Sequence, residues 1–194
     1  MNRREFLKYQ AKGMLCMMAG GSGILFAGKT IAAPFPDIAV VKGGPAAATR
    51  AAVELLGGMQ QFVKPGNRVV IKPNMSFPTP PERASNTHPE VIRELAAMCK
   101  EAGAGRVLVL DHTLGPEELC LESSGIAQGC KSVSDDMVFA INDERFYRET
   151  DLPQGKSMMQ TDIAKEVLKC DVLIAAPVAK SHSNTGVSLS MKGM

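Results

Sequence analysis

Tryptophan is absent from this chain of 194 residues, and there are only two tyrosines and three histidines. Without a larger aromatic set there is little on which to stack unpaired bases. The five cysteines include no pair at C-x-x-C spacing, which argues against a structural zinc knuckle or an iron–sulfur cluster built from these cysteines alone. No G-x-x-x-x-G-K-[ST] loop follows a strand candidate, so a Walker phosphate site is excluded. No apolar run reaches the roughly 20 residues that a membrane-spanning helix needs. The best candidate, Met14 to Gly28, is shorter and rich in glycine.

The short apolar run belongs instead to a recognisable address. Asn2-Arg3-Arg4-Glu5-Phe6-Leu7-Lys8 pairs twin arginines with Phe-Leu-Lys, the apolar stretch follows, and Thr30 and Ala32 are the small residues of a cleavage site after Ala32. This order predicts a twin-arginine (Tat) export signal over residues 1–32, the Tat translocase as partner during export, and a periplasmic or extracytoplasmic destination. An uncleaved signal anchor is the alternative; after cleavage no stable membrane span is expected. The signal also holds most of the basic excess: Arg3, Arg4, Lys8, Lys12 and Lys29 face only Glu5, so the whole chain is +2 and the remainder is −2. With no basic face and few aromatics, nucleic acid is excluded as a partner.

Residues 33–194 have the length of one domain with a substantial core. Of the cysteines there, Cys120 and Cys130 are the nearest pair and a candidate disulfide in an oxidising compartment. Cys99 and Cys170 read as small buried hydrophobes.

Short β-branched runs alternate with helical patterns. Ile38–Val41, Arg68–Lys72, Val107–Leu110, Met137–Ile141 and Asp171–Ala175 are strand candidates, and Pro45–Gln60, Pro116–Ser123 and Thr161–Lys169 read as helices. Thr87-His88-Pro89-Glu90 reads as a capping box that opens another helix, closed by Ala102-Gly103-Ala104-Gly105. The rhythm predicts an α/β fold: a mainly parallel sheet with helices on both faces, in Rossmann-like layering.

In such sheets ligands sit beyond the carboxyl ends of the strands, and the polar residues of interest fall there. Lys72-Pro73-Asn74 ends one strand, with proline fixing the exit direction. The Pro-rich segment from Met75 to Asn86 exceeds the usual connection length and is a candidate lid. Asp111-His112 ends the next strand, and Lys180-Ser181-His182-Ser183-Asn184 follows the last. Ammonium, hydroxyl and amide donors suit an anion, phosphate or carboxylate; a polar surface loop is the competing reading. Asp111 and His112 could also pair with His182 or His88 in a mixed N/O metal site, although His88 is better explained as the first residue of a capped helix. Ser181 and Ser183 beside His182 lack the strand-elbow context of an esterase.

At "VVIKPNM" (Val69 to Met75), "NTHPEVIRELAAMCKEAGAGRVLVLD" (Asn86 to Asp111) and "CDVLIAAPVAKSHSNTGVSLSMKGM" (Cys170 to Met194), the chain resembles the domain of unknown function 362 family. The resemblance places Lys180, His182 and Lys192 on the family's last motif. That motif runs on into a glycine-containing segment, so residues 33–194 are expected to be the N-terminal part of a larger domain and Met194 a truncation point. Some relatives carry a ferredoxin-like cysteine module for a [4Fe–4S] cluster, and no such run is present here.

Two classes of function remain. One is an exported enzyme or cofactor-dependent redox protein. Lys180 and His182 would be its catalytic groups, and Lys72, Asn74, Asp111, Ser181, Asn184 and Lys192 would line a site for an anionic small molecule or redox cofactor. The other is a non-catalytic binding or maturation module, or a metal- or iron–sulfur-associated redox protein whose cluster ligands lie outside this chain. A lysine with a strongly depressed pKa would favour the first. The cofactor and any metal are unassigned.

Overall fold

Arg68–Pro73 forms β1, the inner strand of a four-stranded sheet, because its continuous Val-Val-Ile centre tolerates burial on both faces. The computed structural model describes residues 35–193, and the export signal expected over residues 1–32 lies outside them. β1 pairs in parallel with β2 (Arg106–Asp111) on one side and with β6 (Val172–Ala176) on the other, and β3 (Val138–Ala140) adds to β2. The order is β3-β2-β1-β6. All four strands run the same way, so all four carboxyl ends open on one edge.

One face is covered by helices. Helix α2 (Pro89–Glu101) presents Ile92, Leu95, Ala96 and Cys99 to Val69, Ile71, Val107 and Val109. Helix α1 (Pro45–Leu55) joins it through Arg50, which binds Glu94 at 2.5 Å and Glu101 at 2.8 Å. The short helices α3 (Glu117–Ser123) and α4 (Ile126–Cys130) close the same side with Leu121, Ile126 and Cys130. At the amino edge, the turns before β1 and β2 lie against each other, with the Gly66 amide donating to Gly103 O at 2.8 Å. A Cβ at Gly105 would meet Gly66 O at 2.9 Å, so only glycine allows this approach.

The other face carries Val70, Leu108, Leu110 and Ile141. Against it lie Tyr147, Ala164 and Val167, from the antiparallel hairpin of β4 (Tyr147–Asp151) and β5 (Gln160–Ala164) and the turns after it. Here the expected helix over Thr161–Lys169 is corrected: its first residues pair with Tyr147–Asp151 as a strand. Its apolar spacing suits a helix as well as a half-buried strand, and the cross-strand partner decided the outcome.

Other expectations also change. Ile38–Val41 is irregular chain, with Ile38 and Val40 exposed and unpaired with any strand among the described residues. The first helix ends at Leu55 rather than Gln60, and Met59–Gln61 forms a separate 3-10 turn. Cys120 and Cys130 are both free, buried thiols, not a disulfide. Burial pushes Cys99 up to about 12 and Cys130 up to about 11, so both are unreactive packing groups. Among the described residues no helix is long and apolar enough to cross a membrane.

Candidate functional site

Asp111 is the hub of the carboxyl edge. It is the last residue of β2, only 2% exposed, and its two oxygens are used separately. Oδ1 accepts from Lys72 Nζ at 2.6 Å, while Oδ2 accepts from the Met75 amide at 2.6 Å and from the Ser76 hydroxyl at 3.3 Å. A buried carboxylate needs such donors and a counter-charge. One side chain therefore fixes the chain leaving β1 and aims Lys72 along the edge.

Thr87 makes a second stitch. Its hydroxyl accepts from the Asn74 amide at 2.9 Å and donates to Ala176 O at 2.6 Å, which joins the ends of β1 and β6 to the start of α2. The expected capping box is thereby corrected. His88 is the N-cap, its Nδ1 accepting from the Glu90 amide at 3.3 Å, and Thr87 is withdrawn into the core.

Lys180 opens β7 (Lys180–His182). Its ammonium donates to Asn74 Oδ1 at 3.0 Å and to Ser85 O, and lies 4.5 Å from the centre of the Phe77 ring. Burial and the charge of Lys192 hold its pKa below the ordinary lysine range, against the opposing pull of Asp111. These bonds also settle the segment Met75–Asn86. Asn86, 3% exposed, donates to Phe77 O at 2.8 Å and to Thr79 O at 3.1 Å, so the segment is pinned at its root and is not a free lid.

Lys192 belongs to the single turn α5 (Ser190–Gly193) and lines a narrow cleft with Lys72, Asn74 and Ser188. A larger cavity of about 410 Å³ opens on the other side of Lys72. It is lined by the apolar side chains of Leu110, Ile141 and Leu173 and by the polar ones of Asp111, His112, Tyr147 and Asp162. The Tyr147 phenol is pushed above its ordinary range by burial and by the charge of Asp111.

The structure thus brings Lys72, Asn74, Asp111, Lys180 and Lys192 to one edge. Ser181, His182 and Asn184 are placed differently, on the hairpin of β7 with β8 (Gly186–Ser188). His182 Nδ1 accepts from the Asn184 and Thr185 amides, both at 3.3 Å, and lies 3.1 Å from the Thr185 hydroxyl. Its ring shapes the turn. Ser181 and Asn184 are exposed, Asn184 at the hairpin tip. The mixed metal site does not assemble. His88 caps a helix and Asp111 is taken by Lys72, and no group of three His, Cys, Asp or Glu side chains among the described residues could hold a metal ion. Ser76, Thr87 and Ser188 are site residues that the sequence reading passed over. For Ser188 the local signal pointed the other way, because alternation with Val187 and Leu189 reads it as the exposed residue of its strand.

Comparison with known proteins adds a relative and a family. A thylakoid-associated protein of Synechocystis is 30% identical over 148 residues, which cover 76% of this chain and 44% of that protein. The chain therefore spans less than half the length of this curated relative. No solved structure matches the chain. The profile of the domain of unknown function family DUF362 matches residues 69–194, from β1 through the three strand exits that build the edge, and the chain belongs to that family.

Proposed function

We propose that the carboxyl edge of the sheet binds an anionic small molecule, a class that includes anionic redox cofactors. The observation that carries this reading is the charge at the edge. Three ammonium groups, Lys72, Lys180 and Lys192, meet there, against two carboxylates, Asp111, already paired with Lys72, and Asp162 on the wall of the adjoining cavity. Like charges gathered at a strand-exit cleft cost stability unless a counter-charge arrives. The cavity beside Lys72 has the size of a small-molecule site and room for the body of the ligand.

Native mass spectrometry of the full-length protein tests the reading. The expected result is a bound anionic species on the wild type that is lost from a Lys72→Ala/Lys192→Ala variant of unchanged circular dichroism. A wild type as empty as the variant, and indifferent to added anions, would sink it.

Within this reading Lys180 is the group for proton transfer or nucleophilic attack, since burial and the charge of Lys192 lower its pKa and favour the neutral amine. His182 serves it by holding the hairpin turn. A binding module that turns nothing over is the second reading. It is favoured by the engagement of the Lys180 ammonium with Asn74, Ser85 and Phe77. NMR titration separates the two: a Lys180 amine that titrates in the ordinary lysine range removes the case for catalysis.

We further infer that residues 1–32 address the chain to the Tat translocase and out of the cytoplasm. The support is the Arg3-Arg4 pair with its apolar stretch, and similarity to a protein named for the thylakoid is compatible with it. An Arg3→Lys/Arg4→Lys variant is expected to stay in the cytoplasmic fraction. Export undiminished by that change would refute the assignment.

A further inference from the structure

β8 is inside out. Along Gly186-Val187-Ser188-Leu189, the serine is 5% exposed while Val187 and Leu189 are 56% and 49% exposed. A slip of one residue would bury the apolar pair and free the hydroxyl. The register that holds instead, Lys180 opposite Ser188, turns a polar atom inward. That atom has no partner: Ser188 Oγ is buried and makes no hydrogen bond. A buried hydroxyl left unsatisfied costs about 1–3 kcal/mol, and replacement by alanine would remove that cost.

Ser188 lines the narrow cleft of Lys72, Asn74 and Lys192, which has room of about 20 Å³, enough for one water-sized atom. No acidic residue lines this cleft. Asn74 Oδ1 accepts from Lys180, and the Asn74 amide nitrogen is a donor that makes no hydrogen bond among the described residues. Lys72 spends bonds on Asp111 and Pro73 O, and its charge still borders the cleft. Hydroxyl, amide and two ammonium groups therefore border a slot for one atom, and no carboxylate lines it.

We propose that this slot seats one oxygen of a terminal oxyanion, phosphoryl or carboxylate, on the ligand of the carboxyl edge, with Ser188 donating to it. The proposal rests on the anion-binding reading above and names the chemical group by which the ligand is held. Ser188 is a binding residue in it, paid for by an unsatisfied hydroxyl in the free protein.

Calorimetric titration of the full-length protein with inorganic phosphate and, separately, acetate tests the proposal, beside Ser188→Ala and Lys192→Ala variants and with thermal melts of all three without ligand. Ser188→Ala is expected to melt at or above the wild-type temperature, because it loses no bond, and to bind the effective probe about tenfold more weakly, the equivalent of one charge-assisted hydrogen bond. Phosphate binding with acetate silent assigns a phosphoryl group, and the reverse assigns a carboxylate; both support the slot. A Ser188→Ala variant that binds as tightly as wild type while Lys192→Ala loses binding overturns the slot and leaves the edge reading standing. A Ser188→Ala variant that melts well below wild type also overturns the slot, since the hydroxyl then has a structural partner such as a buried water. Failure of both anions to bind the wild type overturns the slot and counts against the edge reading as well.

Discussion

Asp111→Ala is expected to destabilise the protein by about 3–5 kcal/mol, the range found when one partner of a buried ion pair is removed. Three losses combine. The Lys72 ammonium, 2.6 Å from Oδ1 and only part-exposed, loses its counter-charge. The Met75 amide, beside a side chain with no solvent exposure, loses its acceptor, and so does the Ser76 hydroxyl. Asp111→Asn keeps an acceptor for Met75 and the side-chain volume while discarding the charge, so it should cost less, about 1–3 kcal/mol. Urea unfolding of both variants at constant m-value makes the comparison. A loss below about 1 kcal/mol for the alanine variant would mean that Met75 and Lys72 find other partners, and the hub described above would be wrong. A double-mutant cycle with Lys72→Met isolates the pair, because the double change removes both charges together and should cost less than the two single changes summed.

Much of this frame was legible in the amino-acid order. The Val-Val-Ile, Val-Leu-Val-Leu and Val-Leu-Ile-Ala runs are β1, β2 and β6 to within a residue or two, since a strand covered on both faces is apolar throughout. Once those strands are parallel, topology places Lys72, Asn74, Asp111 and Lys180 at one edge. Less local features did not show. Thr161–Lys169 carries spacing that two periods share, and only pairing with Tyr147–Asp151 selects the strand. Ile38–Val41 has the composition of a strand, and no neighbour among the described residues completes its ladder. Within Lys180–Asn184 the residue types look equally chemical, yet hairpin geometry gives Lys180 to the edge, His182 to the turn, and Ser181 and Asn184 to solvent. Ser188 was hidden for the same reason. A serine between Val187 and Leu189 reads as the exposed member of an alternating strand, and here it is the buried one.

Thr87→Val is the sharpest probe of how the edge is held, because it alters chemistry at nearly constant shape. Thr87 is 4% exposed, and its hydroxyl connects the Asn74 amide with Ala176 O, bridging 89 positions of sequence in the second bond. Valine fills the same space and can neither accept nor donate. The Asn74 amide and the Ala176 carbonyl would each lose this partner, and stranding two groups at about 1–3 kcal/mol apiece predicts a loss of about 2–6 kcal/mol. The backbone bond from the Thr87 amide to Asn74 O, 2.8 Å, survives and keeps the cost from rising further. Thr87→Ser restores the hydroxyl while removing a methyl, so it should recover most of that loss apart from roughly 1 kcal/mol of packing. The ordering wild type, serine, valine in urea midpoints is thus the expected result, and a valine variant as stable as the serine one would show that the stitch is not what joins β1 to β6. The same series separates scaffold from chemistry. Asn74 is held by Thr87 through its backbone and by Lys180 through its side chain, so Thr87→Val should weaken anion binding at the edge by displacing Asn74 and Lys180 together, whereas Ser188→Ala should weaken it with the scaffold intact.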